Sequence, residues 1–251
     1  MGKTLLVIIP AYNASLTIAE LVEKISKSVN KNDIVVVDDG SKDQTFVIAQ
    51  RAGAVVLKHK KNKGKGEALK TGFRYAQKKN YPALITMDAD LQHDPESIPD
   101  FIRKADNIYP LPFGERARVR GNKVKSNGFS CIRSSSPGII IGTRKRNLKN
   151  MPFARWLTNN LTSAIVSILS GHSIRDSQSG YRLIWTQVLK DLKLKSKKYD
   201  LESEILIKAK RKGFKISEIP IKTIYGEGKS FINPLIDTSR FIRLMWRSLW
   251  W

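Results

Sequence analysis

The sequence predicts an α/β fold: a mostly parallel central sheet with helices on both faces. Two observations predict it. From residue 3 to residue 88, short apolar runs alternate with amphipathic stretches. Such strand–helix alternation builds parallel sheets covered on both sides. Acidic residues also close two of the apolar runs, at "VVVDD" (35–39) and "LITMDAD" (84–90). Ligands of such sheets bind beyond the carboxyl ends of the strands, so one site could collect Asp38, Asp39, Asp88 and Asp90.

The elements follow in order. "KTLLVIIP" (3–10) reads as a buried strand. "SLTIAELVEKISKSV" (15–29) reads as a helix, with Ser15 as its N-cap and Leu16, Ala19, Leu21, Val22 and Ile25 on its apolar side. "DIVVVDDGS" (33–41) is a second strand, and "QTFVIAQRAG" (44–53) a helix that Gly53 suits as a C-terminal cap. "AVVLKH" (54–59) is a third strand, "GEALKTGFRYAQKKN" (66–80) a helix and "PALITMD" (82–88) a fourth strand. Residues 106–137 show neither a strand nor a helix period, and they read as an irregular insertion. "GIIIGTRKR" (138–146) resumes as strand then turn, and "FARWLTNNLTSAIVSILSG" (153–171) as an amphipathic helix. "LESEILIKAKRKG" (201–213) is helical and "FKISEIPIKTIY" (214–225) extended. One domain over 1–230 is expected, followed by an amphipathic helix within 231–251.

Charge narrows the partners. The 251 residues carry 45 Lys and Arg against 22 Asp and Glu, a formal charge of +23. That balance suits an anionic partner: nucleic acid, an anionic membrane or a phosphorylated substrate. No helix-turn-helix, RNP or zinc pattern supports nucleic acid, and that reading leaves the paired acids unexplained. The single cysteine, Cys131, excludes an intrachain disulfide and a cysteine zinc site. No stretch approaches the roughly 18 apolar residues of a membrane span.

The acids of "MDADLQHDP" (87–95) pose the chemical question. Carboxylates this close repel unless a cation sits between them. A D-x-D after a strand is a hard-oxygen pair suited to Mg²⁺ or Mn²⁺, with substrate phosphates completing the shell. Asp88 and Asp90 would be the ligands, and Gln92 could add an oxygen. Acids at strand ends also serve simply as turn formers. In "VDDGS", Asp39 could accept from a ribose or base. "KNKGKGEALKTG" (61–72) puts glycines and lysines at a helix start, where free N–H groups favour phosphate; a solvated basic turn is the alternative. His59, His93 and His172 share no metal-ligand spacing and read as surface or supporting residues.

The chain shows, in order, "PAYN" (10–13), "VDDGS" (37–41), "NKGKGEA" (62–68), "DADLQHDP" (88–95), "GTR" (142–144), "DSQSGYR" (176–182) and "YGEGKS" (225–230). This series resembles family 2 glycosyltransferases of the Rossmann-like GT-A fold, most of all the dolichol-phosphate mannose synthase type that glycosylates polyprenyl phosphates. The resemblance implies a donor pocket of Pro10, Tyr12, Val37, Asp39, Lys65, Asp88, Ala89 and Lys229. It implies a metal, Mg²⁺ or Mn²⁺, on Asp88 and Asp90 with Gln92 nearby. It gives catalytic roles to Asp90, Asp176 and Arg144, and an acceptor-phosphate site to Arg144 and Arg155. The implied partners are a GDP- or UDP-linked sugar and a polyprenyl phosphate. Ala14 stands where the family usually has Glu, Thr223 where it often has Arg, and the span before "GTR" is long. The Q-x-x-R-W motif of processive synthases is absent.

The tail (232–251) is helical by pattern. Phe241, Trp246, Trp250 and Trp251 are placed among Arg240, Arg243 and Arg247. That composition suits an interfacial helix on the cytoplasmic face of a membrane, with core packing as the alternative. The leading expectation is an inverting hexosyltransferase acting on a polyprenyl phosphate. A saccharide or protein hydroxyl is the alternative acceptor.

Overall fold

In the computed structural model, which describes residues 5–108, 137–144, 153–198 and 200–222 together with Met245, Trp246 and Ser248, the strands form one seven-stranded sheet. They are β1 (Leu6–Ala11), β2 (Ile34–Asp38), β3 (Val55–Lys58), β4 (Ala83–Thr86), β5 (Gly138–Arg144), β6 (Arg182–Trp185) and β7 (Lys215–Ile221). The order across the sheet is β3-β2-β1-β4-β6-β5-β7. β6 runs antiparallel to both its neighbours, and the remaining pairs are parallel. The mostly parallel sheet expected from the sequence is therefore present, with one reversed strand that the sequence reading lacked.

The helices are α1 (Ile18–Ser26), α2 (Thr45–Arg51), α3 (Lys65–Lys78), α4 (Ile98–Ile108), α5 (Phe153–Ser170), α6 (Thr186–Asp191) and α7 (Asp200–Arg211). α1 buries Ile18, Leu21, Val22 and Ile25, one stripe at i, i+3, i+4 and i+7. Leu16 and Ala19, expected on that stripe, are exposed. The helix starts later than expected: Thr17 rather than Ser15 holds the N-cap position. The Ser15 amide instead donates to Asp43 Oδ2 at 3.1 Å. Gly53 has φ +94° past the end of α2, the left-handed position where glycine costs least. α4 and α6 were not anticipated. The start of the expected insertion is the end of α4, and residues 109–136 lie outside the described residues.

The core forms on both faces of β1, β2 and β4, whose residues are buried throughout. α3 lies close on β1: a methyl group on Gly72 would come within 2.5 Å of Ile8 Cγ2. The chain leaves β1 for β2 and β3 on one side, then returns to β4 on the other. β1 and β4 pair only as far as Ile8 and Thr86, while β1 stays on β2 to Ala11. Ile8 accepts from Met87 N on the β4 side, so by alternation Pro10 turns its missing N–H to that unpaired side. A crevice opens there, at the switch point where ligands of doubly wound sheets bind. Because β6 is reversed, its start meets the ends of β4 and β5 at this same edge.

Candidate active site

Four turns meet at the crevice, and they are tied to one another. Asn13, after β1, has φ +52°. Its amide donates to Ser41 Oγ at 2.9 Å, and its Oδ1 accepts from Lys42 N at 2.9 Å. Asp38 accepts from Ser41 N at 2.9 Å, closing the turn after β2. Gly40 lets the basic loop pack against that turn, since a Cβ there would stand 2.6 Å from the Lys61 carbonyl carbon. Thr17 Oγ1 donates to Ala89 O at 2.6 Å and so anchors the start of α1 to the turn after β4.

Asp39 is buried and takes three donors: His59 Nδ1 at 2.6 Å, Lys63 N at 2.9 Å and Gly64 N at 2.6 Å. Amides expected to await a substrate phosphate are thus satisfied by an internal carboxylate. The loop does bind an anion, and the anion is Asp39. His59 is buried rather than on the surface, and its Nε2 lies 2.9 Å from Thr71 Oγ1. It links the turn after β2 to α3.

The turn after β4 carries the paired acids. Leu91 has φ +61°, a left-handed conformation rare for a branched side chain and found preferentially at functional turns. Asp90 is exposed, and its Oδ1 accepts from Gln92 N at 3.1 Å. Asp94 serves the backbone instead: it accepts from Glu96 N at 3.0 Å and caps the short 3₁₀ turn Pro95–Ser97. The Asp88 amide donates to His93 Nδ1 at 3.4 Å. The Asp88 carboxylate meets the Lys65 ammonium at 2.6 Å, and Lys65 reaches Glu202 Oε1 at 2.9 Å. Burial works against charge on Asp88, but Lys65, His93 and Arg144 outweigh it and hold its pKa below the ordinary carboxylate value. Burial also holds the His93 pKa below the ordinary histidine value, against the pull of Asp88.

The turn leading into β6 forms the opposite wall. A Cβ on Gly180 would fall 2.6 Å from Asp88 Oδ2, so any side chain there would push the carboxylate aside. Thr86 Oγ1 donates to Gly180 O at 2.7 Å and fixes that approach. Tyr181 lies with its ring centroid 5.3 Å from that of His93 and 4.5 Å from that of Phe101. Arg144, at the end of β5, grips the fully buried Asp176 through Nε at 2.7 Å and Nη2 at 3.0 Å. That two-pronged pair orients the guanidinium and leaves its other N–H groups for an anion.

The structure thus joins Lys65 to Asp88 and Glu202 and sets Arg144 with Asp176 near Asp88, while Ala89, Asp90 and Gln92 lie on the same turn, Pro10 and Tyr12 at the end of β1, and Asp39 is enclosed by the basic loop. Val37 is fully buried in β2, with no exposed side-chain surface. The Arg155 side chain, Lys229 and most of the tail lie outside the described residues. Sequence reasoning missed Glu202 and Thr17, and it named His59 and His93 only as surface or supporting residues, of which the supporting role is the one seen. Glu202 had a signal, an acid within the apolar run "LESEILI". Among the described residues, no group of three or more His, Cys, Asp or Glu side chains could hold a metal alone. Two carboxylates and an amide oxygen still fit a hard divalent ion that substrate phosphates help to bind. Asp88 already holds one cation, the Lys65 ammonium.

The family model for glycosyl transferase family 2 matches residues 6–164, a span holding "PAYN", "VDDGS", the basic loop and the paired acids. The chain belongs to glycosyl transferase family 2. As a member of that family it is a glycosyltransferase. An uncharacterized protein of Methanocaldococcus jannaschii is 36% identical over 226 residues, 88% of this chain and 82% of that one. A UDP-N-acetylglucosamine–dolichyl-phosphate N-acetylglucosaminyltransferase of Methanococcus voltae is 33% identical, covering 97% of this chain and 95% of its own. In shape, the UDP complex of glucosyl-3-phosphoglycerate synthase from Mycobacterium tuberculosis matches with a TM-score of 0.69 at 19% identity, over 98% of this chain and 80% of that chain. The same synthase has been solved with Mg²⁺ and UDP. At that identity the likeness carries the fold alone.

Proposed function

We propose that this glycosyltransferase moves a hexose-type sugar from a nucleoside-diphosphate sugar to a polyprenyl phosphate, inverting the anomeric carbon. One observation carries the proposal: the near full-length relative from Methanococcus voltae is named for transfer to dolichyl phosphate. A polyprenol monophosphomannose synthase of Mycolicibacterium smegmatis, 29% identical over 86% of this chain, points to the same acceptor class.

In this reading Asp88, Asp90 and Gln92 hold Mg²⁺ or Mn²⁺ with the donor diphosphate. A metal held there would supply Lewis-acid stabilisation of the departing nucleoside diphosphate. Tyr12 and the turns after β1 and β2 shape the nucleotide side, and Lys65 faces the diphosphate. Arg144, held by Asp176, meets the acceptor phosphate, with Arg155 and Lys229 as further cations. A phosphate acceptor is anionic near neutral pH, so it needs positioning more than a strong base. A hydroxyl acceptor would need a carboxylate base instead.

The reading also places the protein at a membrane surface on the cytoplasmic side, where the lipid acceptor and nucleotide sugars meet. None of the described helices is long and apolar enough to cross a membrane. The test is a transfer screen over UDP- and GDP-linked sugars with Mn²⁺, with and without a polyprenyl phosphate. Product should form only with the lipid phosphate and should vanish on chelation. Transfer to a free saccharide at equal rate would overturn the acceptor class.

A further inference from the structure

Lys65 is the first residue of α3, and its ammonium bridges two carboxylates from separate parts of the fold. Asp88 Oδ1 is 2.6 Å away and Glu202 Oε1 2.9 Å. The two acids differ in access. The Glu202 side chain is 7% exposed and the Asp88 side chain 26%, so solvent and solutes reach the ammonium from the Asp88 side. The Asp88 carboxylate packs against Gly180, where a Cβ would fall 2.6 Å from Oδ2. The four-carbon lysine stem is the flexible member of the trio.

A divalent metal entering at Asp88 would meet a cation already there. Two cations on one carboxylate repel, and burial weakens the screening that would relieve it. A diphosphate brings the missing negative charge and offers the ammonium a new partner. We propose that Lys65 is the resident counter-cation of Asp88 and yields that carboxylate to the metal only when a nucleotide diphosphate arrives to receive the ammonium. Metal and nucleotide then bind cooperatively, and Glu202 keeps Lys65 in reach during the exchange. This rests on the crevice being the donor site.

Linkage makes the coupling reciprocal, so it can be read from either ligand. The experiment is a titration of the full chain with Mn²⁺, followed by the electron paramagnetic resonance of the free ion, with and without UDP or GDP. The wild type should bind Mn²⁺ alone weakly, and nucleotide should tighten it by about 10- to 100-fold. Lys65→Met should bind Mn²⁺ alone roughly tenfold more tightly, with coupling reduced to about threefold or less. Lys65→Arg, which keeps the charge, should retain the coupling. Lys65→Gln replaces the methionine variant if that one does not melt cooperatively. If the neutral variants match the wild type in both Mn²⁺ affinity and coupling while nucleotide still binds, the role of Lys65 is overturned and the donor site stands. If neither nucleotide binds any of these proteins, the donor site and this inference fall together.

Discussion

Arg182 heads the largest fully buried side chains, and it spends its guanidinium on main chain. Nε donates to Ser179 O at 2.8 Å, Nη1 to Glu202 O at 2.6 Å and Nη2 to Ser177 O at 2.7 Å. It therefore stitches the turn before β6, which carries Gly180, to the helix that carries Glu202. Burial pushes its pKa down, and Glu202, Asp176 and Asp88 oppose that push. Arg182→Met would keep much of the volume but leave three buried carbonyls without this donor. Urea denaturation should show a loss of roughly 3 kcal/mol, the order expected for unsatisfied buried groups. Turnover should fall further than nucleotide affinity, because Asp176 and Gly180 lie on the loosened turn. A variant with wild-type stability would remove Arg182 from this role. The residue was legible as part of "DSQSGYR", and its structural role was not. Its partners are carbonyls set by the fold, and carbonyls carry no sequence signal.

At the scale of elements, α7 shows how an acid can organise a segment without regular structure. Glu204, with its side chain fully buried, accepts from Lys195 N at 3.0 Å, Ser196 N at 2.7 Å and Lys208 Nζ at 2.6 Å. That segment in turn covers the start of α3: Glu67 N reaches Lys197 O at 3.2 Å, and a Cβ on Gly66 would strike the Lys197 carbonyl carbon at 2.5 Å. Burial opposes charge on Glu204, but its hydrogen bonds to Lys208, Lys195 and Ser196 prevail and lower its pKa. A depressed carboxylate stabilises the fold above its unfolded value, near 4.5, and that contribution is lost as pH falls through the folded value. Glu204→Gln should therefore cost roughly 1–3 kcal/mol at pH 7, with the gap to wild type closing below pH 4.5. Thermal melts across that range decide it, and a gap independent of pH would refute the ionic contribution. The strands and helices up to β4 were legible because each has its own period and breakers. β6 was not, since "RLIW" is short and its direction depends on neighbours distant in sequence. α4 was overlooked although Ile98, Phe101 and Ala105 carry a helical stripe.

At the scale of the molecule, three of the exposed large apolar side chains belong to α5 and the tail. α5 leaves Leu161 59% and Ile168 78% exposed, seven residues apart and so on one side of the helix. Trp246 is 67% exposed. Arg211 joins the two regions, donating Nε to Leu169 O at 3.3 Å and Nη1 to Ser248 O. The tail expected to meet a membrane thus has described residues next to the end of α5, and Ser248 is buried there while Trp246 is not. Exposed side chains contribute little to the fold, so Leu161→Glu with Ile168→Glu should leave the melting temperature nearly unchanged. The same pair should weaken co-sedimentation with anionic vesicles, since it removes inserted apolar area and adds repulsion from the lipid charge. Wild-type binding should decline as salt rises, because basic residues near such a surface contribute about 1 kcal/mol each and are screened beyond a Debye length of about 8 Å at 0.15 M. A part of the binding should survive high salt in the wild type and disappear in the double variant, because the apolar component is insensitive to screening. Equal vesicle binding by the two proteins at every salt concentration would move the lipid contact away from α5.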